Sequence, residues 1–89
     1  MLMISFFQNK GIVKLDTDFF YEGILRGTRP DGIGIMLEKK ELFSARGRFS
    51  NTKLFGAGRI ELENGEIYDG FFRNGLFRNG IYYNSHEDM

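Results

Sequence analysis

The chain has 89 residues, 42% of them hydrophobic, and its twelve basic residues balance its twelve acidic ones. A chain of this length forms one small domain and buries only about 60–65% of its unfolded surface. The net charge of zero excludes the basic excess typical of a dedicated nucleic-acid binder, so we expect no nucleic-acid partner. The absence of cysteine excludes disulfides and thiolate metal sites.

The chain begins with MLMISFF, an apolar run that is too short for a signal-peptide core and has no leading positive charge. We expect residues 1–10 to add a strand or to cap one end of the fold. No stretch approaches the about 18–20 apolar residues of a membrane-spanning helix, so the sequence predicts no transmembrane span. These features favour an intracellular protein.

Glycine and aromatic residues set the character of the rest of the chain, with twelve Gly, ten Phe and four Tyr beside a single Pro. Rigid rings and frequent glycines are typical of short strands joined by tight turns. Each glycine costs a helix about 1 kcal/mol, and no apolar run has helical spacing. The sequence therefore predicts an all-β fold.

An internal repeat starts at Tyr21, at Ala45 and at Tyr68. Counting each start as position 1, a glycine recurs at position 3, an apolar residue at 5, and, in the first two units, glycines at 12 and 14. Gly80 lies one residue out of step with this spacing. The pattern divides residues 11–83 into units of about 11–20, 21–44, 45–67 and 68–83, and leaves 84–89 as a flexible tail.

Each unit is predicted to form two strands, at positions 1–6 and about 12–18. Alternation places positions 1, 3 and 5 on one face of the first strand, and positions 14, 16 and 18 on one face of the second. We infer that both sets share the buried face. The predicted fold is a series of antiparallel β-hairpins in a single-layer twisted sheet, or meander.

The Asn64-Gly65 pair allows two hairpin loops. With a two-residue loop, Tyr68 would lie opposite Glu61 and the aromatic face would join the charged face. With a three-residue loop closed by a left-handed glycine, Ile60 pairs with Tyr68 and Gly58 with Gly70. A one-residue shift in the pairing of the two strands moves every side chain to the opposite face. Only the three-residue loop puts the apolar sets of both strands on the same face, so we predict that loop. The paired glycines leave bare backbone over which a neighbouring ring can lie.

Two stretches, YEGILRGTRPDGIG from residue 21 and NGEIYDGFFRNG from residue 64, resemble the MORN repeat family. The resemblance covers about residues 21–83. It implies a single-layer run of antiparallel hairpins that acts as a protein–protein interaction scaffold or as a small subunit of a larger assembly. Members of the family commonly occur in cytoskeletal, ciliary and membrane-linked complexes, which implies a cytoplasmic, cytoskeletal or organelle-associated location.

No residue pattern supports catalysis. DGIGIM, residues 31–36, lacks the third glycine and the Lys-Ser/Thr of a phosphate-binding loop. The carboxylates near Asn64-Gly65 surround an exposed turn with nothing to raise a pKa, and the only histidine, His86, lies in the predicted tail. We expect a non-enzymatic protein with no catalytic residues, no cofactor and no metal site.

Four aromatic residues share the predicted buried face, and they allow two interpretations. They pack as core, or they line a concave groove that receives a peptide from a partner. The set is Tyr21, Phe49, Tyr68 and Phe72.

The opposite face carries a second apolar set, because adjacent residues of a strand point to opposite sides. An apolar patch of this kind is typical of a binding surface. We expect it to contact a protein partner, either a larger complex or a second copy of the chain. The set is Ile24, Ile33, Ile35, Leu37 and Phe71.

Three arginines on the polar face of the second unit support an alternative function, binding of an anionic phospholipid at a membrane surface. If positions 5 and 14 pair, Phe49 lies across from Gly58, Arg48 across from Arg59, and Arg46 across from Glu61. Two facing cations favour an anion between them. The other interpretation is a solvated Arg46–Glu61 pair. Because the net charge is zero and each surface cation adds only about 1 kcal/mol, electrostatic capture by a membrane is weak.

Overall fold

The computed structural model describes residues 2–4, 9–39 and 43–84, with the backbone alone for residues 2–4. Residues 1 and 5–8 of the predicted cap, and residues 85–89 of the predicted tail with His86, lie outside the described part.

The described residues form one antiparallel sheet, in which each strand pairs with the next along the chain. The strands are β1 (Leu2–Ile4), β2 (Lys10–Asp16), β3 (Phe19–Arg26), β4 (Arg29–Glu38), β5 (Phe43–Ser50), β6 (Lys53–Leu62), β7 (Glu66–Arg73) and β8 (Leu76–Asn84). The described ranges contain no helix, and the molecule is elongated, with extents of 46 × 24 × 19 Å. The predicted all-β fold, a single-layer meander of hairpins, is confirmed.

The second strands of the first two full units begin before their predicted limits because two-residue turns, at 27–28 and 51–52, join each to the strand before it. Asn51 and Thr52 both have positive φ, as do Asn74 and Gly75 in the turn of the third unit, which is the geometry of a type I′ turn. β6 consequently begins at Lys53 rather than near position 12. Asn-Gly at 74–75 is a strong sequence signal for this turn.

The loop between β6 and β7 has the predicted three-residue form. Ile60 pairs with Tyr68 and Gly58 with Gly70, and the Gly65 N–H donates to the Leu62 carbonyl at 3.0 Å. Gly65 has a φ of 95°, in the left-handed region that favours glycine. The three-residue loop, which was predicted from the shared apolar face of the two strands, is confirmed.

A continuous row of directly paired glycines crosses the sheet from β2 to β8, and we call it the glycine row. It consists of Gly11, Gly23, Gly34, Gly47, Gly58, Gly70 and Gly80.

Gly80 belongs to the glycine row although the sequence spacing places it out of step. A β-bulge lies beside the row in each of the three full hairpins. In the β3–β4 and β5–β6 hairpins the second strand takes up two extra residues there, but in the β7–β8 hairpin it takes up only one. The smaller bulge brings Gly80 opposite Gly70.

The glycine row explains how a single-layer sheet buries a core. On the face we call the inner face, a row containing Tyr21 flanks the glycines on one side, and a row containing Phe49 and Leu54 flanks them on the other. A Cβ on Gly34 would lie 2.3 Å from the Tyr21 hydroxyl, and one on Gly58 would lie 3.1 Å from Leu54 Cδ2. Only bare backbone lets side chains from both rows meet above it and bury one another.

The core therefore lies along the inner face, as the shared buried face predicted. It is formed by Val13, Tyr21, Leu25, Met36, Ala45, Phe49, Leu54 and Phe72. We call the opposite face the outer face.

Hydrogen bonds between successive turns hold the hairpin ends over this core. The Thr52 N–H donates to the Pro30 carbonyl at 3.0 Å, and the Gly75 N–H donates to the Leu54 carbonyl at 2.9 Å. Thr52 and Gly75 occupy the same position of successive units, as do Pro30 and Leu54. The repeat is thus structural as well as sequential, and each turn is supported by the preceding hairpin.

Candidate binding surfaces

The four aromatic residues singled out from the sequence lie on the inner face, and three of them are buried. Tyr21, Phe49 and Phe72 are 1–3% exposed, and Tyr68 is partly buried. The rings of Tyr21 and Phe49 meet edge to face at 5.1 Å between centroids, and Tyr68 packs against Phe77 at 5.4 Å. Such pairs add about 0.5–1.5 kcal/mol beyond the area they bury. This burial favours the core interpretation over the peptide groove.

The Tyr21 hydroxyl is held by the backbone on the other side of the glycine row. It donates to the Ile24 carbonyl at 2.8 Å. Burial and the nearby Asp31 carboxylate raise the pKa of Tyr21 to about 12, because both disfavour the phenolate. This tyrosine is therefore a neutral structural group at physiological pH.

The second apolar set lies on the outer face but does not form one continuous patch. Ile33, Leu37 and Phe71 are exposed, while Ile24 and Ile35 are partly buried. A mixed row containing Ile35 and several charged residues crosses the face between Ile33 and Leu37. Leu37 is thereby separated from the other exposed members.

Phe55 is an exposed residue of this face that is absent from the apolar set predicted from the sequence. It follows the buried Leu54 and is 47% exposed, so strict alternation along β6 was the signal that could have identified it. An open hollow of about 620 Å³ lies between Ile33, Arg48 and Phe55, and Phe71 lies beside them, opposite Ala57. We call Ile33, Phe55 and Phe71 the outer patch.

The expected pairing of the arginines is wrong. Arg46 lies opposite Arg59, and Arg48 lies opposite Ile33 on β4. The cause is a register that differs by two residues from the expected one, because Gly58 pairs with Gly47 rather than with Phe49. The bulge between Gly47 and Phe49 additionally takes Arg48 out of the ladder with β6.

Arg59 already has two anionic partners. Its Nε lies 2.8 Å from Glu61 Oε1, and its Nη1 lies 3.1 Å from Asp69 Oδ2. The expected Arg46–Glu61 pair is thus replaced by Arg59–Glu61. Arg46 and Arg48 are exposed and form no ion pair with any residue in the described ranges.

Within residues 2–4, 9–39 and 43–84, no group of three or more His, Cys, Asp or Glu residues is arranged to hold a metal ion. In the same ranges, no helix has the length and apolar character needed to cross a membrane.

The fold defines a class of protein, a repeat protein whose hairpins share one open sheet with a core on one face. Comparison with protein-family models and with curated proteins finds no match for this chain.

Proposed function

We propose that this chain is a non-enzymatic, MORN-like repeat module that binds another protein through the outer patch. The observation that carries the proposal is the exposure of two large apolar side chains on the face away from the core, Ile33 at 66% and Phe71 at 57%. Burying such a side chain in an interface is favourable by about 1.5–3 kcal/mol. The MORN-like assignment is supported by the hairpin repeat and its glycine row.

The partner surface is expected to be apolar with a carboxylate near its centre. Arg48 lies beside Ile33 and Phe55 and has no carboxylate partner in the described part of the chain. Asp31 also lines this hollow but forms no ion pair with Arg48. A buried interface would therefore leave the guanidinium unpaired unless the partner, or a rearranged Asp31, supplied an acceptor, and unpaired buried charges are costly.

The test compares complexes captured from the native source by the wild-type chain and by Ile33→Ser/Phe71→Ser. A stoichiometric partner, identified by mass spectrometry, should be lost in the double variant. Leu76→Ser is the matched control, because Leu76 is 64% exposed but belongs to the end of the sheet. Circular dichroism should show the same fold in all three chains. Retention of the partner by the double variant contradicts the proposal.

A second candidate function is binding of anionic phospholipid, favoured by the adjacent exposed cations Arg46 and Arg48. Cosedimentation with vesicles containing phosphatidylserine at low salt tests it, since added salt screens such attraction. If the chain binds these lipids, the wild-type chain should pellet with the vesicles and Arg46→Gln/Arg48→Gln should not. Arg78→Gln is the control and should pellet like the wild-type chain. Absence of vesicle-dependent pelleting at low salt removes it.

A further inference from the structure

β8 is the last strand of the sheet, and in the described part of the chain one of its edges has no neighbouring strand. The direction of its backbone groups follows from the close approach of β7. A Cβ on Gly70 would overlap the Asn79 carbonyl oxygen, so this carbonyl points toward β7. The Gly80 N–H lies across the same trans peptide group and points the opposite way, to the open edge. The Tyr82 N–H points there too, because alternate residues of a strand direct their N–H groups to the same side.

The first unit has the same arrangement, and there the next unit completes it. A Cβ on Gly23 would lie 2.5 Å from the Ile33 carbonyl oxygen, so Gly34 also turns its N–H away from its own hairpin. That N–H faces β5, where Gly34 is paired with Gly47. The contact between one unit and the next is therefore an antiparallel strand pair in which two glycines face each other.

The second unit makes the same contact with the third, through Gly58 and Gly70. A Cβ on Gly47 would lie 2.6 Å from the Ala57 carbonyl oxygen, which directs the Gly58 N–H toward β7. The third unit presents the equivalent edge at Gly80, but no fourth unit follows in the described ranges. Unpaired backbone groups on such an edge are a template for pairing with another strand.

The side chains of β8 do not protect this edge. Natural edge strands are commonly blocked by charged residues or proline, whereas the nine residues of β8 contain one charge, Arg78, and no proline. Large side chains are exposed on both faces, with Ile81 at 56% and Tyr83 at 48% on the outer face, and Tyr82 at 43% on the inner face. The strand is thus suited to cover by a neighbouring strand.

We infer that β8 pairs with β8 of a second copy of this chain, antiparallel and about a two-fold axis, with Gly80 opposite Gly80. An axis perpendicular to the sheet keeps the inner faces of both copies on the same side, so the glycine row and the apolar rows beside it continue from one copy into the other. This is the contact that joins successive units, made between two chains. The inference does not depend on the outer patch, which lies on a face of the sheet and not at its edge.

A second copy fits this edge because β8 is complementary to itself. With Gly80 opposite Gly80, both copies direct their Gly80 N–H groups into the shared edge. Arg78 then lies across from Tyr82, so the single charge of the strand does not meet its equivalent. β1, at the other end of the sheet, is a poorer match, since it has three residues and no glycine. Pairing of β8 with β1 would also be head-to-tail and would extend beyond a dimer.

The first test is sedimentation of the full chain over about a hundredfold range of concentration. We expect a species of twice the 10.3 kDa of the chain, whose proportion rises with concentration. Ile81→Lys places two cations beside the axis and should raise the dissociation constant about tenfold or more. Ile12→Lys is the matched control and should dimerise as the wild-type chain does. Ile12 is also exposed and lies in the same row of the outer face, but on β2.

Three results overturn the inference: a wild-type chain that stays monomeric at the highest concentration, assemblies larger than a dimer, and equal dimerisation by the wild-type chain and a folded Ile81→Lys. Should Ile81→Lys fail to fold by circular dichroism, Tyr82→Pro takes its place with the same criterion, because an edge strand tolerates proline where the missing N–H faces solvent. Ile33→Ser/Phe71→Ser should dimerise normally, so failure of the outer-patch proposal and failure of this one are distinguishable. Loss of the dimer in that variant would assign the contact to the outer patch instead.

The second test measures the register, and the absence of cysteine from the chain makes it specific. Gly80 opposite Gly80 puts residue 79 of one copy across from residue 81 of the other in a non-hydrogen-bonded pair, with Cα atoms about 4.5 Å apart, which a disulfide can bridge. Under mild oxidation, a mixture of Asn79→Cys and Ile81→Cys chains should form a linked heterodimer faster than either chain forms a linked homodimer. Faster linkage in Ile81→Cys alone would overturn this register, and equal rates in all three samples would overturn a defined strand pair.

Discussion

Tyr21 and Tyr82 lie in the same row of the inner face, yet Tyr21 is 1% exposed and Tyr82 is 43% exposed. Strands flank β3 on both sides, and the neighbouring hairpin brings Phe49 over the Tyr21 ring. β8 is the last strand of the sheet. Two residues of the same row thus differ in burial because a ring is buried where neighbouring hairpins cover it and stays exposed at the end of the sheet.

The largest expected difference between these regions is the cost of removing a ring. Phe49→Ala should lower the free energy of unfolding by about 3–5 kcal/mol, because it empties a fully buried site. That is a large share of the about 5–15 kcal/mol typical of a whole domain. Phe77→Ala, on β8, should cost less than half as much because Phe77 is only partly buried.

Chemical denaturation of the wild-type chain and the two variants measures both costs. Phe55→Ala is the control on the outer face and should change stability by about 0.5 kcal/mol or less. Equal losses for Phe49→Ala and Phe77→Ala would show that burial does not decline toward β8.

The next largest effect concerns the glycine row. Gly34→Ala should destabilise the fold by about 1–3 kcal/mol, because the new methyl group would overlap the Tyr21 ring. In a Tyr21→Ala background the same change should cost at least about 1 kcal/mol less, since residues in contact are energetically coupled.

Gly58→Ala provides the matched control in the same row. Its Cβ would meet Leu54, Arg46 and Phe72, with no Tyr21 atom among its nearest neighbours. Its cost should therefore be independent of Tyr21. A double-mutant cycle with additive costs for Gly34→Ala and Tyr21→Ala would disprove the ring-over-glycine arrangement.

The separation of apolar and charged side chains onto opposite faces of the strands made much of the fold predictable from the sequence. A one-residue slip at Asn64-Gly65 would have placed Tyr68 among charged residues, so a single loop satisfied the pattern. The same reasoning predicted which residues face the core, including Glu38, which is 5% exposed at the end of the buried set of β4.

The bulges and the exact register were not predictable in the same way. A bulge shifts pairing without changing composition, so the smaller bulge of the β7–β8 hairpin brings Gly80 into the glycine row. Arg48 was misplaced because Gly58 pairs with Gly47 rather than with Phe49. The separation of Leu37 from the outer patch depends on cross-strand register over several strands, which a pattern within single strands does not define.

A smaller effect isolates the Tyr21 hydroxyl. Tyr21→Phe removes the hydrogen bond to the Ile24 carbonyl and should cost about 0.5–1.5 kcal/mol at neutral pH. The folded-state pKa of about 12 lies above the ordinary value of 10.0. The stabilisation from this group is therefore complete below pH 10 and is lost as the pH rises toward 12, because the unfolded chain ionises first.

Denaturation at several pH values measures the difference between the wild-type chain and Tyr21→Phe. The difference should be constant below pH 10 and should shrink from pH 10 toward 12. A difference that stays constant across this alkaline range would contradict the raised pKa of Tyr21.

The smallest expected effect is a change in the pKa of Tyr82 alone. Tyr21 and Tyr82 have the same raised pKa, but for different reasons. The pKa of Tyr82 is also about 12, but mainly because its hydroxyl donates to the Glu66 carboxylate. Glu66→Gln removes that negative acceptor and should bring the pKa of Tyr82 back toward 10.0, while Tyr21 should be unaffected because burial is the main cause of its shift.

Alkaline titration by tyrosinate absorbance, with Tyr21→Phe and Tyr82→Phe to assign the two transitions, measures both pKa values. If Glu66→Gln left both high-pH transitions in place, burial rather than this carboxylate would control Tyr82, and the end of the sheet would be covered like its middle.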